Sequence, residues 1–466
     1  MKFVADACAG EIRRGAAETL VKNVCTDSRS ARPGDLFFAI KGERFDGHEF
    51  LNEVAIKGVA AVVVARASRP CDDMKLTGRM PVPLPDCAIL AVNDVRAAFG
   101  KLAAVYRKDF ALPVIAVGGS NGKTTTKELL ASVLRQKFPT LWSEASFNND
   151  IGVPATLLRL EKSHQAAVVE AGTNHPGELA PLVKMIQPKF GVLTNIGREH
   201  LEFFGDVAGV AEEEGWLAEL LPADGKLFIN GDNEWTEIIA ARTKAKVVRV
   251  GLGEKNGWRA KKIRLDKSGV TFQVDAPQKE LSGEYRVNLL GRHQVMNALF
   301  AIGVGGELGL SRAEIQSGLA GCQPPKMRLQ FWEANGVRVL DDAYNANTDS
   351  TIAALETLCD LPLQGRRVAV LGDMEELGAH SGAAHAEVGK RAAELGVGQL
   401  FAVGKMAPVM AAAARKAGLN RVIEFADVEA AVQAVGNFLK AGDVVLLKAS
   451  RAARLERIDE ALRAEK

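Results

Sequence analysis

The stretch Val114-Ile115-Ala116-Val117-Gly118-Gly119-Ser120-Asn121-Gly122-Lys123-Thr124-Thr125 decides how this chain is read. Four apolar, mostly β-branched residues run into a glycine-rich turn and then into residues that open a helix. That is a buried strand, a phosphate-cradling loop and a helix N-terminus in succession. Glycine lacks the Cβ that would hold backbone N–H groups away from phosphate oxygens. The pattern predicts that Gly118 to Gly122 wrap the phosphates of ATP. Lys123 then brings a mobile cation to the β- and γ-phosphates, and the Thr124 hydroxyl, followed by Thr125, offers a ligand to Mg²⁺. The glycine spacing is one residue shorter than GxxxxGK[ST], because position 117 is valine. Leu129, Leu130, Val133 and Leu134 give the following segment one apolar helical side, as the strand–loop–helix reading requires.

Three sections extend from this loop. The first, residues 1–112, carries apolar runs at 36–40, 60–64 and 88–92 and a helix whose apolar face is Val95, Phe99, Leu102 and Tyr106. Pro70, Pro81, Pro83 and Pro85 mark an exposed loop between them. The second, residues 113–323, continues with short apolar strands at 166–169, 191–193, 227–229 and 247–250, separated by helical stretches. A β-rich patch at 263–290 and a helix at 294–308 close it. Strands alternating with helices argue for a parallel sheet covered by helices. Pro324-Pro325 marks a linker into residues 324–466, where strands at 337–340, 368–371, 400–403, 422–425 and 444–447 read as a second doubly wound, Rossmann-like sheet. No GxGxxG follows its first strand, so no NAD site is expected there. The fold class is α/β in three domains.

Bulk properties narrow the function. At 466 residues, with 47% apolar and 25% charged residues, the chain is an ordinary globular protein too long for one core. A net charge of +2 offers no basic field for nucleic acid. The N-terminus lacks a signal-peptide pattern, and no run reaches the roughly 18–20 apolar residues of a membrane span. Six cysteines stand without CxxC pairing and read as ordinary thiols. A cytoplasmic, monomeric enzyme acting on small molecules is the expectation.

In open parallel sheets, ligands gather beyond the carboxyl ends of the strands. Glu170 closes one strand and can hold Mg²⁺ there or be a solvated terminus. Thr194-Asn195 close another, with His200 six residues past Thr194, suited to a metal or phosphate role or to a surface hydrogen bond. Asn148-Asn149-Asp150 form a polar turn that is either functional or simply a turn. In the third section Asp341-Asp342-Ala343-Tyr344-Asn345-Ala346-Asn347 suit a polar substrate or a helix cap. Asp373 to Glu376 make a further acidic strand end, and Lys448 with Arg451 suit an anion.

Taken together these strings resemble the Mur ligases, most closely the MurF type. The resemblance spans nearly the whole chain. It rests on Thr26-Asp27-Ser28-Arg29, Pro33-Gly34-Asp35-Leu36-Phe37, the phosphate loop, Asn148-Asn149-Asp150-Ile151-Gly152-Val153-Pro154 and Glu170-Ala171-Gly172-Thr173-Asn174. His200-Leu201-Glu202, Gly291-Arg292-His293 with Asn297, Asp341 to Asn347, and Gly372-Asp373-Met374 complete it. It implies an N-terminal domain for a UDP-sugar, a central ATPase domain, and a C-terminal Rossmann-like domain taking the incoming dipeptide and part of the nucleotide. The implied reaction phosphorylates the terminal carboxylate of UDP-MurNAc-tripeptide with ATP. The amine of D-Ala-D-Ala then attacks the acyl phosphate, in peptidoglycan precursor synthesis.

Carried over by motif, Thr124 and Glu170 hold a first Mg²⁺ and His200 helps place a second. Asn148 and Asn149 contact phosphate or acyl group, and Lys123 neutralises charge. Asn297, Arg328, Asp342, Tyr344 and Asn345 fall where the family holds adenine and ribose. Ser28, Arg29, Asp46, Gly47 and His48 fall in the UDP-sugar region.

One departure stands out. Many members carry a carbamylated lysine that supports the second Mg²⁺, and here Glu214 occupies that position within Glu212-Glu213-Glu214. The expectation is that its carboxylate replaces the carbamate, so that no carbamylated lysine is needed. The alternative is that the three glutamates form an acidic helix face. Smaller departures are Gly118 for Thr, Met327 where Gly often precedes the Arg, and Thr348 for Pro. A folylpolyglutamate-synthase-like ligase, a P-loop switch ATPase and a binding protein with degraded catalysis are the rival readings.

Overall fold

The computed structural model describes residues 1–42, 45–66, 87–362 and 364–464. The expected proline-rich loop with Pro70, Pro81, Pro83 and Pro85, and Cys71, lie outside the described residues. Two compact units emerge: Met1–Leu112 with Ser146–His164 and Pro181–Gln187, and Pro113–Ala145 with Gln165–Ala180 and Pro188–Lys466. Among the described residues no helix is long and apolar enough to cross a membrane, and Cys8, Cys25, Cys322 and Cys359 are free thiols.

The first unit is built on strands β1 (Glu11–Arg14), β2 (Val24–Cys25), β3 (Leu36–Phe38), β4 (Ala61–Ala65) and β5 (Ala88–Val92), ordered β1-β5-β4-β3-β2. Only β1 runs antiparallel, against β5. Each of β3, β4 and β5 is apolar on both faces because side chains cover both: Leu36, Phe38, Val63 and Leu90 face one cluster with Phe99 and Leu102, while Phe37, Val62 and Ile89 face another with Leu51 and Val54. The helix Val95–Tyr106 starts where the Asp94 carboxylate accepts the Ala97 N–H, a side-chain N-cap.

The second unit holds two sheets. One comprises β6 (Val114–Gly118), β7 (Thr140–Trp142), β8 (Ala166–Glu170), β9 (Phe190–Leu193), β10 (Lys226–Asn230), β11 (Lys246–Gly251), β12 (Trp258–Asp266), β13 (Gly269–Asp275) and β14 (Gly283–Val287). Their order is β14-β13-β12-β11-β10-β9-β6-β8-β7. Strands β6 to β12 are mutually parallel, as expected for those at 114–117, 166–169, 191–193, 227–229 and 247–250; β7 is an additional parallel edge strand, and the β-rich patch extends the sheet with antiparallel β13 and β14. Strand β6 is central, flanked by β8 and β9, so the phosphate loop, Glu170 and Thr194-Asn195 leave the same sheet edge side by side. Leu129, Leu130, Val133 and Leu134 pack with Phe228, Phe272 and Phe300 in one core. Each such side chain contributes about 1.5–3 kcal/mol on burial, which pins the phosphate-loop helix to the sheet.

The other sheet contains β15 (Gln330–Ala334), β16 (Val337–Asp341), β17 (Arg367–Gly372), β18 (Gln399–Val403), β19 (Val422–Phe425) and β20 (Val444–Lys448), ordered β15-β16-β20-β17-β18-β19. The five expected strands are parallel and doubly wound, with core clusters on both faces. Antiparallel β15 is an added edge.

Candidate nucleotide site

Everything at the phosphate loop is held by its neighbours. Gly119 sits at φ +105, and a Cβ there would lie 2.4 Å from Thr194 Oγ1 and 2.8 Å from the Asn195 carbonyl oxygen. Only glycine satisfies both demands. The Gly119 N–H donates to Glu214 Oε2 at 2.7 Å. The Ser120 N–H donates to the Asn195 carbonyl at 2.8 Å, and the Asn121 N–H to Asn195 Oδ1 at 2.8 Å. Hence the expectation that the whole loop turns its N–H groups to phosphate is narrowed: these three hold the loop itself. Gly122 precedes the helix Lys123–Leu134 without a side-chain cap, so a helix N-terminus remains for an anion.

Lys123 lies inside a ring of acids. Its Nζ donates to the Gly119 carbonyl at 2.5 Å, to the Ser120 carbonyl at 3.2 Å and to Glu199 Oε2 at 3.3 Å. Burial pulls its pKa down, but Glu199, Glu214 and Glu170 outweigh that and leave it raised. The lysine is therefore a permanent cation. Thr124 Oγ1 donates to Glu170 Oε1 at 3.1 Å, and the Glu170 N–H donates to Ser143 Oγ at 3.0 Å. Burial pushes the Glu214 carboxyl up to about 8; Lys123 pulls it down and Glu199 pushes it further up.

Glu214 belongs to the helix Val207–Glu219, started by Asp206 accepting the Gly209 N–H. The acidic-face alternative fails, because only Glu212 of the three glutamates is exposed. Glu213 is buried and accepts the N–H groups of Gly177 and Leu179, both at 2.8 Å.

Glu170, Glu199 and Glu214 are all at most 5% exposed, against one lysine. Among the described residues, Glu199 Oε1 and Glu214 Oε1 are buried without a hydrogen-bond partner. Such an excess of hard oxygen donors suits Mg²⁺. Among the described residues, however, no three His, Cys, Asp or Glu side chains already converge as a metal cage, as befits an ion that keeps waters and substrate phosphates among its ligands.

His200 adopts φ 48, and its Nδ1 lies 2.5 Å from Glu376 Oε2. Its Nε2 is 3.9 Å from Glu199 Oε2. The His200 hydrogen bond, partly offset by burial, lowers the Glu376 pKa. Next to it, Arg198 donates from its backbone N–H and its guanidinium to Asp349 and also binds Glu387 at 2.6 Å. Asn347 Nδ2 donates to Asn121 Oδ1 at 2.9 Å.

Of the expected nucleotide residues, Asn297 Oδ1 accepts from Thr126 Oγ1 at 3.1 Å beside Gly122. The Arg328 guanidinium stacks 4.2 Å over the Tyr344 ring. Met327 and Leu329, on either side of it, adopt φ 58 and 48, a left-handed conformation that costs a side-chain-bearing residue about 1–2 kcal/mol each. Glycine would take the Met327 conformation without that cost. Asp342 Oδ2 accepts from the buried Lys448 Nζ at 2.6 Å, and the Asn345 carbonyl accepts from the same Nζ at 3.0 Å.

In the other unit, Asn149 Oδ1 accepts the N–H groups of Ile151 and Gly152, a turn-and-cap role, with Asn148 beside it half-buried. Among the UDP-sugar candidates, Ser28 is buried and Arg29 pairs with Asp27 at 2.6 Å. Gly47 packs against the Ala39–Ile40 backbone. Both His48 nitrogens are engaged: Nε2 accepts the Ala65 N–H at 3.2 Å, so Nδ1 carries the proton and donates to Asp46 Oδ1 at 2.7 Å.

Sequence reasoning missed Glu199, Arg198, Asp349 and the buried Lys127, whose Nζ donates to the Ser143 and Ala145 carbonyls. Glu199 had one signal, its place beside His200 in a strand-end loop. The others pair across the chain without any local pattern.

Comparison with known proteins adds the following. Residues 20–107 match the family described as Mur ligase family, catalytic domain; residues 117–305 match Mur ligase middle domain; residues 327–451 match Mur ligase, glutamate ligase domain. The chain is 37% identical over 465 residues to the UDP-N-acetylmuramoyl-tripeptide–D-alanyl-D-alanine ligase of Escherichia coli, covering 98% of this chain and 96% of that one. A crystal structure of MurF from Acinetobacter baumannii superposes with a TM-score of 0.88 at 33% identity, covering 99% and 98%. MurF from Thermotoga maritima in complex with ADP gives 0.79 at 26% identity, covering 96% and 98%.

Proposed function

Since this chain belongs to the Mur ligase family, we propose that it is the ATP-dependent ligase that adds D-alanyl-D-alanine to UDP-MurNAc-tripeptide in peptidoglycan precursor synthesis. Full-length relatives above 30% identity with that name favour this reading over a folylpolyglutamate-synthase-like ligase or a switch ATPase. The observation that carries it is Lys123, a buried cation at a strand–loop–helix phosphate site ringed by Glu170, Glu199 and Glu214.

A carboxylate resists an amine because its charge repels the nucleophile and oxide is a poor leaving group. In the first step a carboxylate oxygen of the tripeptide attacks the γ-phosphorus, the bond to the β–γ bridging oxygen breaks, and ADP departs. In the second the D-Ala-D-Ala amine, having lost its ammonium proton, attacks the acyl carbon. The amide forms, phosphate leaves with the bonding pair, and one of the two N–H protons passes to solvent while the other stays on the amide nitrogen. Lys123 offsets the charge of two anions brought together, and the helix N-terminus at Gly122–Thr124 receives phosphate oxygens.

Thr124 and Glu170, with Glu214 and His200, are the residues that would hold Mg²⁺. Bound there, the ion would supply further charge neutralisation at the phosphates. Asn148 and Asn149 are assigned to the acyl or phosphate side. Asn297, Arg328, Asp342, Tyr344 and Asn345 are assigned to the nucleoside, and Ser28, Arg29, Asp46, Gly47 and His48 to the UDP-sugar. The division of labour follows residues 1–112, 113–323 and 324–466. ATP and a UDP-activated substrate fit a cytoplasmic setting and a monomer suffices for the chemistry.

Phosphate release is the test. It should require ATP, UDP-MurNAc-tripeptide and D-Ala-D-Ala together, and Lys123→Ala should lower the rate by about a thousandfold or more. Equal phosphate release without the acceptor dipeptide would refute the ligase reading.

A further inference from the structure

Glu214 reaches the phosphate loop from a helix about a hundred residues away in sequence, and it gets there through a gap left by one missing atom. A Cβ on Gly118 would lie 2.9 Å from Glu214 Oε2 and 3.1 Å from Leu217 Cδ2. The first distance is shorter than real Cβ atoms tolerate, and the obstacle is the end of the fully buried Glu214 side chain, so a methyl there must shift that carboxylate. Through this gap Oε2 takes the Gly119 N–H at 2.7 Å. The adjacent Gly119 carbonyl is the group that receives Lys123 Nζ at 2.5 Å. One peptide-bearing residue is thus gripped from both sides, its N–H by Glu214 and its C=O by the lysine.

We propose that Gly118 and Glu214 are a matched pair: glycine at 118 admits the Glu214 carboxylate, which positions Gly119 and Lys123 for the nucleotide triphosphate. Glu214 is in this role a positioning residue, acting through the loop, and residue 118 is a requirement of Glu214 rather than of the nucleotide. The inference rests on the phosphate loop being the ATP site. A carboxylate buried this deeply is costly unless its oxygens are satisfied. The Gly119 N–H satisfies one oxygen, and its price is a loop that depends on the acid to hold shape. A methyl at 118 would push the carboxylate back until ordinary van der Waals contact is restored, which should lengthen its bond to the Gly119 N–H and loosen the hold on Lys123.

Affinity for a non-hydrolysable ATP analogue, by titration calorimetry of the full chain with magnesium and again in EDTA, tests this, with the thermal midpoint recorded for each variant. Gly118→Ala and Glu214→Ala should each weaken binding by about tenfold, the size of one lost positioning hydrogen bond to a charged group. The double variant should be no weaker than Glu214→Ala alone, because the added methyl then meets no carboxylate. In EDTA, where the metal plays no part, Glu214→Gln, which keeps an oxygen for the Gly119 N–H, should recover most of the affinity that Glu214→Ala loses, which guards against a folding artefact.

Multiplying losses in the double variant, or unchanged affinity in Gly118→Ala and Glu214→Ala with intact melting, would overturn the pairing. So would a loss seen with magnesium and absent in EDTA, which would assign Glu214 to the metal alone. Failure of the parent to bind the analogue at all would instead strike the ATP reading, and Lys123→Ala provides the reference for that case.

Discussion

Lys448 and Asp342 offer a sharp test of what the third section's charged residues do. Strands β16 and β20 are parallel neighbours with Asp341 opposite Leu447, so Asp342 and Lys448 emerge side by side at the carboxyl edge. Their side chains are 11% and 2% exposed and meet at 2.6 Å. Lys448→Met strands the carboxylate, leaving it the Leu329 N–H at 3.1 Å among the described residues. Removing one partner of a buried pair costs about 3–5 kcal/mol, a factor of more than a hundred in the unfolding equilibrium. Asp342→Asn keeps an oxygen for Leu329 and leaves the lysine facing a neutral amide and the Asn345 carbonyl.

Combining Lys448→Met with Asp342→Asn removes both charges and should recover about 2 kcal/mol or more of the summed loss. Urea unfolding followed by circular dichroism on the four proteins gives the coupling. The pH dependence has a sign. Burial lowers the Lys448 pKa while Asp342 opposes it, so in Asp342→Asn the folded-state value falls further below the unfolded one. The unfolded state then binds the extra proton, stability rises with pH, and the Asp342→Asn deficit should shrink as pH approaches the unfolded lysine value of about 10.4. Additive losses within about 0.5 kcal/mol would refute the pairing argument. An unchanged unfolding curve with weakened ATP-analogue affinity would show that Asp342 serves the nucleotide and not the stability of the fold.

Three further outcomes are expected. Asp341 is held at about 6 by burial and by Asp459; a raised carboxyl destabilises the fold above its pKa, so Asp341→Asn should raise the thermal midpoint at pH 7–8 by the equivalent of about 1–3 kcal/mol and do little at pH 4. A melt across pH that shows an equal gain at pH 4 would contradict this. Glu213→Ala removes the acceptor for two N–H groups at a helix start and should cost about 1–2 kcal/mol in urea unfolding, largely restored in Glu213→Gln. Arg198→Ala breaks half-exposed pairs with Asp349 and Glu387 and should cost less than about 1 kcal/mol of stability; a loss of several kcal/mol would show the clamp to be structural.

Where the information was local, the sequence was readable. The strand–loop–helix at Val114–Leu134 announces itself because an apolar run, glycines and a 3.6-residue apolar repeat follow one another without interruption. The parallel strands 166–169 and 444–447 are buried on both faces and so appear as unbroken apolar runs. Strand β15 was missed because Gln330-Phe331-Trp332-Glu333 is a half-buried edge with no such run. The first residues of β12, Trp258-Arg259-Ala260-Lys261, alternate buried and half-buried positions under a largely charged composition. At the site, Lys123, Thr124 and Glu170 come from motifs at adjacent strand ends. Arg198 meeting Asp349 across 151 residues, or His200 meeting Glu376 across 176, leaves no trace in either segment.

The short loop from Thr194 to His200 has two sets of attachments. At one end Asn195 and Gly197 are stitched to Ser120 and Asn121, and at the other Arg198 and His200 are tied to Asp349, Glu387 and Glu376. It ties the loop Gly118–Gly122 to the residues that follow the last sheet's strands, so a charge reversal at Glu387, remote from that loop, should still alter how firmly the loop is held.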